Sequence, residues 1–292
     1  MIRIPRASLF DLVRTQSGRQ AAALAEMQSR AVTGLAVQSA SDDPVAFGSA
    51  QAMASAVADQ DVWSKNASAA VSVQTTADTA LASVADVLVR AKELAVAMAG
   101  DTVDADARAA AAIEVRGLQE TLRSAANTQF GDRFVFAGQN WDTEPFAADG
   151  TYSGGAAPSE VRVAEDRWVA GGFDGSAVFA GDADVFGALE GLATALEAND
   201  GTGIGTALDT VDASIQAVSD ARAQIGVETQ IAEDAAAVSD AMGVLFSERL
   251  TSLVAADPVE TYTRLTELKS AYESTLQIAA ATTTKSLLDY LS

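Results

Sequence analysis

Histidine and cysteine are both absent from this 292-residue chain. Without imidazole there is no Ser-His-Asp or Cys-His arrangement, no His-ligated zinc and no unperturbed side chain titrating near neutrality. Without thiols there are no disulfides, no thiolate metal site and no thiol redox chemistry. Basic residues are scarce: 19 Lys and Arg stand against 40 Asp and Glu, a formal net charge of −21. Contact with phosphates needs stripes of Lys or Arg, and none occurs, so no nucleic-acid partner is expected. No apolar run approaches the ~20 residues that span a bilayer, so no membrane insertion is expected. The opening Met-Ile-Arg-Ile-Pro-Arg-Ala-Ser-Leu-Phe carries charge but no apolar core or cleavage pattern. A cleaved Sec signal is therefore not expected, and export would need a route that leaves the N-terminus intact.

What remains offers little for catalysis. Carboxylate pairs such as Asp42/Asp43 and Asp182/Asp184 are expected by chance among 40 acidic residues. Gly201-Thr-Gly203-Ile-Gly205 lacks the G-x-G-x-x-G spacing of a nucleotide loop and reads as a flexible connector. We expect no enzyme, no cofactor, no metal site and no catalytic residue.

The two ends carry the strongest pattern. Near the start, Leu9, Leu12, Leu24, Met27, Ala31 and Leu35 fall close to one stripe. Near the end, Leu265, Leu268, Tyr272, Thr275, Ala279 and Thr282 step alternately by three and four, and Leu276, Leu287, Leu288 and Leu291 add apolar bulk. A mean spacing of 3.5 residues keeps one stripe facing a partner helix, the mark of a coiled coil. Residues 1–35 carry five Arg against Asp11 and Glu26, and residues 258–292 carry three basic against four acidic side chains. The ends are thus +2 and residues 36–257 hold −23. Like-charged copies repel when packed side by side, whereas near-neutral ends pack readily. These ends read as an assembly seam.

Between them the pattern is helix, then a β-rich stretch, then helix again. Asp43 before Pro44, and Asp257 before Pro258, read as N-cap followed by first helical residue, with Glu260 placed as in a capping box. A helix is expected from Pro44 to Met98, with a heptad running Ala70, Gln74, Ala77, Leu81, Val84, Leu88, Ala91, Ala95. At this length it would span roughly 80 Å, too long for a compact globule. Gly100 ends it, and Thr102 or Asp104 caps the next helix, which uses Val115, Leu118, Leu122 and Ala125. Residues 130–186 hold seven of the ten Phe, two of the three Trp and nine of the 21 Gly, and short strands are expected there. These aromatics read as the core of a small β insert rather than a sugar-binding face. Helix resumes near Leu189, and a long helix follows Gly205. The expected division is terminal helices 1–42 and 258–292, a helical body 43–140 and 188–257 with a hairpin near 133–140, and a β-rich outer insert 141–187.

Several stretches resemble a known family. Gly34-Leu-Ala-Val-Gln-Ser-Ala-Ser-Asp-Asp-Pro44 is similar to the loop shared by flagellins and flagellar hook-associated proteins. Gly131-Asp-Arg-Phe-Val-Phe-Ala-Gly138, Trp141-Asp-Thr-Glu-Pro-Phe146 and Asp149-Gly-Thr-Tyr-Ser-Gly154 resemble the stretch typical of proteins at the hook–filament junction, as does the ending Lys285-Ser-Leu-Leu-Asp-Tyr-Leu291. The resemblance implies a mainly α fold: an elongated flagellin-like helical bundle and coiled coil formed by both chain ends, with a small β-rich inserted domain. It implies an extracellular structural subunit of the bacterial flagellum, exported by the flagellar type III route, that joins hook to filament. The alternative within the family is a flagellin-like filament subunit. The partners it implies are further copies of the chain in a ring, a neighbouring hook-associated protein, flagellin and a cytoplasmic export chaperone.

Overall fold

The computed structural model describes residues 6–100, 102–181 and 184–288, with side chains described over 11–100, 102–181 and 184–280. The chain is mainly helical. In order it runs α1 (Arg6–Thr33), α2 (Pro44–Met98), α3 (Ala105–Ala126), β1 (Gln129–Phe130), β2 (Arg133–Phe134), β3 (Ser159–Ala164), β4 (Arg167–Gly172), α4 (Gly175–Phe179), α5 (Val185–Glu197), α6 (Gly201–Val254) and α7 (Pro258–Leu288). The Gly201–Gly205 stretch is not a flexible connector. It forms the first turn of α6, where the Asp200 carboxylate accepts the Thr202 N–H at 3.0 Å and Ile204 enters the core.

The chain divides into two compact units, Met1–Val57 with Val244–Ser292, and Ala58–Gly243. The boundaries fall inside α2 and α6 rather than at the two Asp-Pro breaks.

In the second unit, heptad spacing builds the core. On α2, Ala67, Ala77, Leu81, Val84, Leu88, Ala91 and Ala95 are fully buried; Val115 and Leu122 of α3, Leu189 and Leu192 of α5, and Ile204, Val211 and Val218 of α6 are likewise. Each buried Leu or Val contributes about 1.5–3 kcal/mol over the exposed state. The interleaved alanines let helix backbones approach closely, so long seams fill without large side chains.

Residues 141–187 do not stand apart as an outer insert. Phe146 and Phe179 are fully buried and join Phe136, with ring centroids 5.1–5.2 Å apart, in the same cluster as α2, α3 and α5. Tyr152 packs on Phe146, and its hydroxyl donates to the Phe136 and Gly155 carbonyls at 3.2 and 3.0 Å. Burial, followed by the nearby Asp174 charge, pushes that phenol up to about 12. The β3–β4 hairpin is antiparallel, with Val161 opposite Val169. Val163 and Val169 sit on Ala67 and Ala70 of α2 and Ala232 and Ala235 of α6. Two amides fasten it to α2: Asn66 Nδ2 donates to Arg162 O and Gln74 Nε2 to Ala170 O, each at 2.8 Å. A hairpin with so small an apolar face is marginal alone, and these helices supply its stability. The hairpin expected near 133–140 is brief: Arg133 pairs with Phe130 and Phe134 with Gln129 around Gly131 at φ 64°, and Ala137 bridges separately to Asp174.

Arg108 of α3 is buried, 5% exposed. It donates to Met98 O at 3.0 Å and Gly100 O at 2.9 Å at the end of α2, and to Asn199 Oδ1 at 2.6 Å beyond α5. Asn199 adopts φ 54° there. The guanidinium thus satisfies carbonyls left unpaired at the end of α2, where a cation is also favoured by the helix dipole, and ties that end to the Asn199 side chain. Replacing Arg108 with Ala orphans several buried acceptors, so we expect a loss of about 3 kcal/mol in thermal or denaturant unfolding. Arg108→Lys is expected to recover less than half, because one ammonium cannot reproduce the fork.

Candidate assembly surface

In the first unit, α1 and α7 pack against each other, and the end of α1 lies beside the start of α7. The pair is therefore antiparallel. The covered side of α1 carries Val13, Ser17, Gln20, Leu24, Met27 and Ala31, and that of α7 carries Thr261, Leu265, Leu268, Tyr272, Thr275 and Ala279. Both sets step 4, 3, 4, 3, 4, the spacing of a coiled-coil seam.

Of the expected seam residues, Leu24, Met27, Leu35, Leu265, Leu268 and Tyr272 are half-buried. Leu12 is 64% and Leu276 44% exposed, so neither lies on the covered side. The stripe on α1 passes one residue beyond Leu12, through Val13, and continues through the polar Ser17 and Gln20. Counting heptads back from Leu24 would have found those positions; following the leucines did not. The side chains of Leu9, Leu287 and Leu288, and all of Leu291, lie outside the described residues.

The covering is incomplete. Among side chains described in α1 and α7, only Thr261 is buried; every other seam position is half-buried. Gln20 Oε1 is shielded from solvent and lacks a hydrogen-bond partner. A polar seam residue of this kind weakens a two-helix pair while restricting its register. Large apolar side chains also face outward in this unit: Val32 is 87%, Val259 75% and Tyr262 59% exposed. A cleft of about 570 Å³ between the two helices has Met27, Leu268 and Ala271 along it, with Arg30, Arg264, Glu260 and Glu267 also lining it.

The helix caps form as their spacing implies. Asp43 accepts from Val45 N and Ala46 N, both at 2.9 Å, and Asp257 from Val259 N at 2.8 Å and Glu260 N at 3.2 Å. Pro44 and Pro258 open α2 and α7. Glu260 takes part through its N–H; its carboxylate is exposed, and no return bond closes a capping box among the described residues.

Asp42, considered as one half of a carboxylate pair, is instead a loop organiser. It accepts from Gln38 N at 3.0 Å, Ser39 N at 2.9 Å and Ser39 Oγ at 3.1 Å. These bonds, the Gln38 N–H first, hold its carboxyl below the usual range. The Gln38 side chain reaches back to Thr33 Oγ1 at 2.9 Å and accepts from Ser29 Oγ at 2.9 Å.

Residues 12–141 match the bacterial flagellin N-terminal helical region. Over 149 residues the chain is 31% identical to flagellar hook-associated protein 3 of Escherichia coli, covering 50% of this chain and 47% of that protein. This chain is similar to flagellar hook-associated protein 3. The match spans about half the length of that relative. The fold is likewise shared with solved hook-associated proteins. Hook-associated protein 3 of Legionella pneumophila superposes with a TM-score of 0.63 at 13% identity, over 70% of this chain and 98% of that one. FlgL of Bacillus cereus superposes at 0.59 and 19% identity, over 67% and 96%. Among the described residues, no helix is long and apolar enough to cross a membrane.

Two outcomes follow for the isolated chain. Leu24→Asp places a charge on the covered side and should unzip α1 from α7, read as faster amide exchange in both, while Leu12→Asp should leave exchange unchanged. The pH behaviour of the 34–43 loop is also set. A depressed carboxyl contributes stability above the ordinary carboxylate range and loses it only as pH falls through its own lower value. Protection factors at the Gln38 and Ser39 amides, taken against the intrinsic exchange rate at each pH, should therefore hold above the ordinary carboxylate range and fall as pH drops from it through the lower value of Asp42.

Proposed function

We propose that this chain is a structural, non-catalytic subunit of the bacterial flagellum, placed between hook and filament and assembled through α1 and α7. The observation that carries this reading is the contrast between the two units. One has a core of fully buried side chains, and the other presents a seam that its own two helices cover only in part. Side chains half-covered in a single copy gain burial when neighbouring copies pack beside them, and that gain offsets the entropy of ordering the ends. The likeness to hook-associated protein 3 supports the junction role. On this reading the chain reaches the outside of the cell through the flagellar export route with an intact N-terminus. Its partners are copies of itself in a ring, a neighbouring hook-associated protein, flagellin, and an export chaperone while it is still in the cytoplasm.

The test places charge on the seam. Leu268 is half-buried along the α1–α7 cleft, while Glu267 beside it is exposed. Burying an unpaired carboxylate costs several kcal/mol, against a few tenths for a surface change. Leu268→Asp should abolish filament attachment and motility, yet leave the main melting transition of the purified protein almost unchanged, because Ala58–Gly243 has its own core. Glu267→Ala should swim normally. A motile Leu268→Asp strain would remove the seam from the mechanism. Seeded polymerisation separates the junction role from that of a filament subunit: a junction protein should not extend into long filaments.

A further inference from the structure

Charges in Ala58–Gly243 are mostly matched within one copy, and two exceptions stand out. Of its ten basic residues, six pair with carboxylates, while Arg108 and Arg162 donate to carbonyls. Among the described residues, Arg133 and Arg167 make neither an ion pair nor a side-chain hydrogen bond. Arg167 lies over no aromatic ring among those residues, whereas the Arg133 guanidinium lies 4.5 Å from the centre of the Trp141 ring. Trp141 is exposed, as is Phe130, which sits opposite Arg133 in the β1–β2 hairpin. Two aromatic rings and a free cation thus project together from one hairpin. The second exception is acidic. Three described carboxylates of this unit are half-buried: Asp78 pairs with Arg222, Asp174 caps α4, and the Glu228 carboxylate has no partner. Glu228 lines a cleft of about 600 Å³ between α6 and the β4–α4 segment, whose other walls include Pro158, Phe173, Val178, Ile225 and Val227.

We propose that this cleft receives the Phe130–Arg133–Trp141 projection of a second copy of the chain, with Arg133 set against Glu228 and the rings against the apolar walls. A half-buried carboxylate without a counter-charge, beside apolar walls, favours an occupant that carries a cation on an apolar body. The projection has that chemistry, and its stacked guanidinium is already held with its ring, so little freedom is lost on docking. Two groups left unmatched in one copy are matched across two. The projection and the cleft are different surfaces, so the contact is heterologous: each copy docks on one neighbour and receives another, a pattern that closes as a ring or runs on as a helix. A cleft of this size takes only a few side chains, far less than a stable interface buries. The contact therefore orients neighbouring copies and locally offsets the repulsion between acidic units, while other surfaces hold the copies together. It rests on the reading that copies adjoin one another in the flagellum, and it makes no demand on α1 or α7 in the isolated chain.

Because the chain has no cysteine, introduced cysteines can report the contact. Asn140 is exposed beside the projection, and Val227 is exposed in the cleft. In a strain carrying Asn140→Cys/Val227→Cys, sheared flagella treated with a short bifunctional maleimide should give a ladder of multiples of the chain. Adding Glu228→Lys or Arg133→Glu should lower the ladder yield about tenfold, since like charges then face each other, and the two together should restore it. Arg167→Glu, which alters the other unmatched cation, should leave the yield unchanged. Each purified variant should melt like its parent, because none of these side chains lies in the core. A chain present in the flagella without a ladder would overturn the contact and leave the junction reading standing. So would a ladder indifferent to charge reversal, a double variant without recovery, or cross-links only to a protein of another mass. An unsubstituted chain absent from the flagella would overturn the junction reading, and this contact with it.

Discussion

The structure depends on a seven-residue repeat of small and medium apolar side chains carried by two helices of 55 and 54 residues. Alanine holds many of the fully buried positions on α2 and α6. Small side chains at seam positions bring helix axes close, and dispersion between backbones and methyl groups replaces the bulk that leucine would supply. Such seams are sensitive to overpacking, because no flexible side chain is present to yield. The β3–β4 hairpin and the aromatic cluster are seated on the same helices and draw their order from them.

Charge follows the division between the units. Met1–Val57 with Val244–Ser292 carries nine basic and ten acidic residues, whereas Ala58–Gly243 carries ten basic and thirty acidic. The second unit therefore holds −20 of the −21. Ion pairs that cross between its helices, such as Arg222 with Asp78 at 2.8 Å and Lys92 with Asp212 at 2.7 Å, are about half exposed and contribute little each. Most of the acidic charge is solvated surface, which favours solubility and resists close approach of like units. The unit with nearly balanced charge is also the one with the unfinished seam. That coincidence gives the assembly reading its physical sense.

Much of this was legible in the residues. Asp43-Pro44 and Asp257-Pro258 open helices where their capping chemistry places them, and Asp104 accepts from Ala107 N at 2.7 Å at the start of α3. Leu265, Leu268, Tyr272, Thr275 and Ala279 lie on the covered side of α7 as their spacing implies. Leu12 and Leu276 lie off the side that α1 and α7 cover in one another, whereas Ser17 and Gln20 occupy it despite their polarity.

What the sequence determined by itself is local: helix type, helix starts, the period of each apolar face and the uneven charge. Those features arise from groups three or four residues apart, so a linear reading captures them. Tertiary structure alone decided that Leu35 pairs with Ala255, that Arg108 joins the end of α2 to Asn199 beyond α5, and that Phe146 and Phe179 join the helical core. Each depends on partners far apart in the chain, whose meeting is set by packing geometry and by the need to satisfy buried carbonyls. No local pattern encodes that choice.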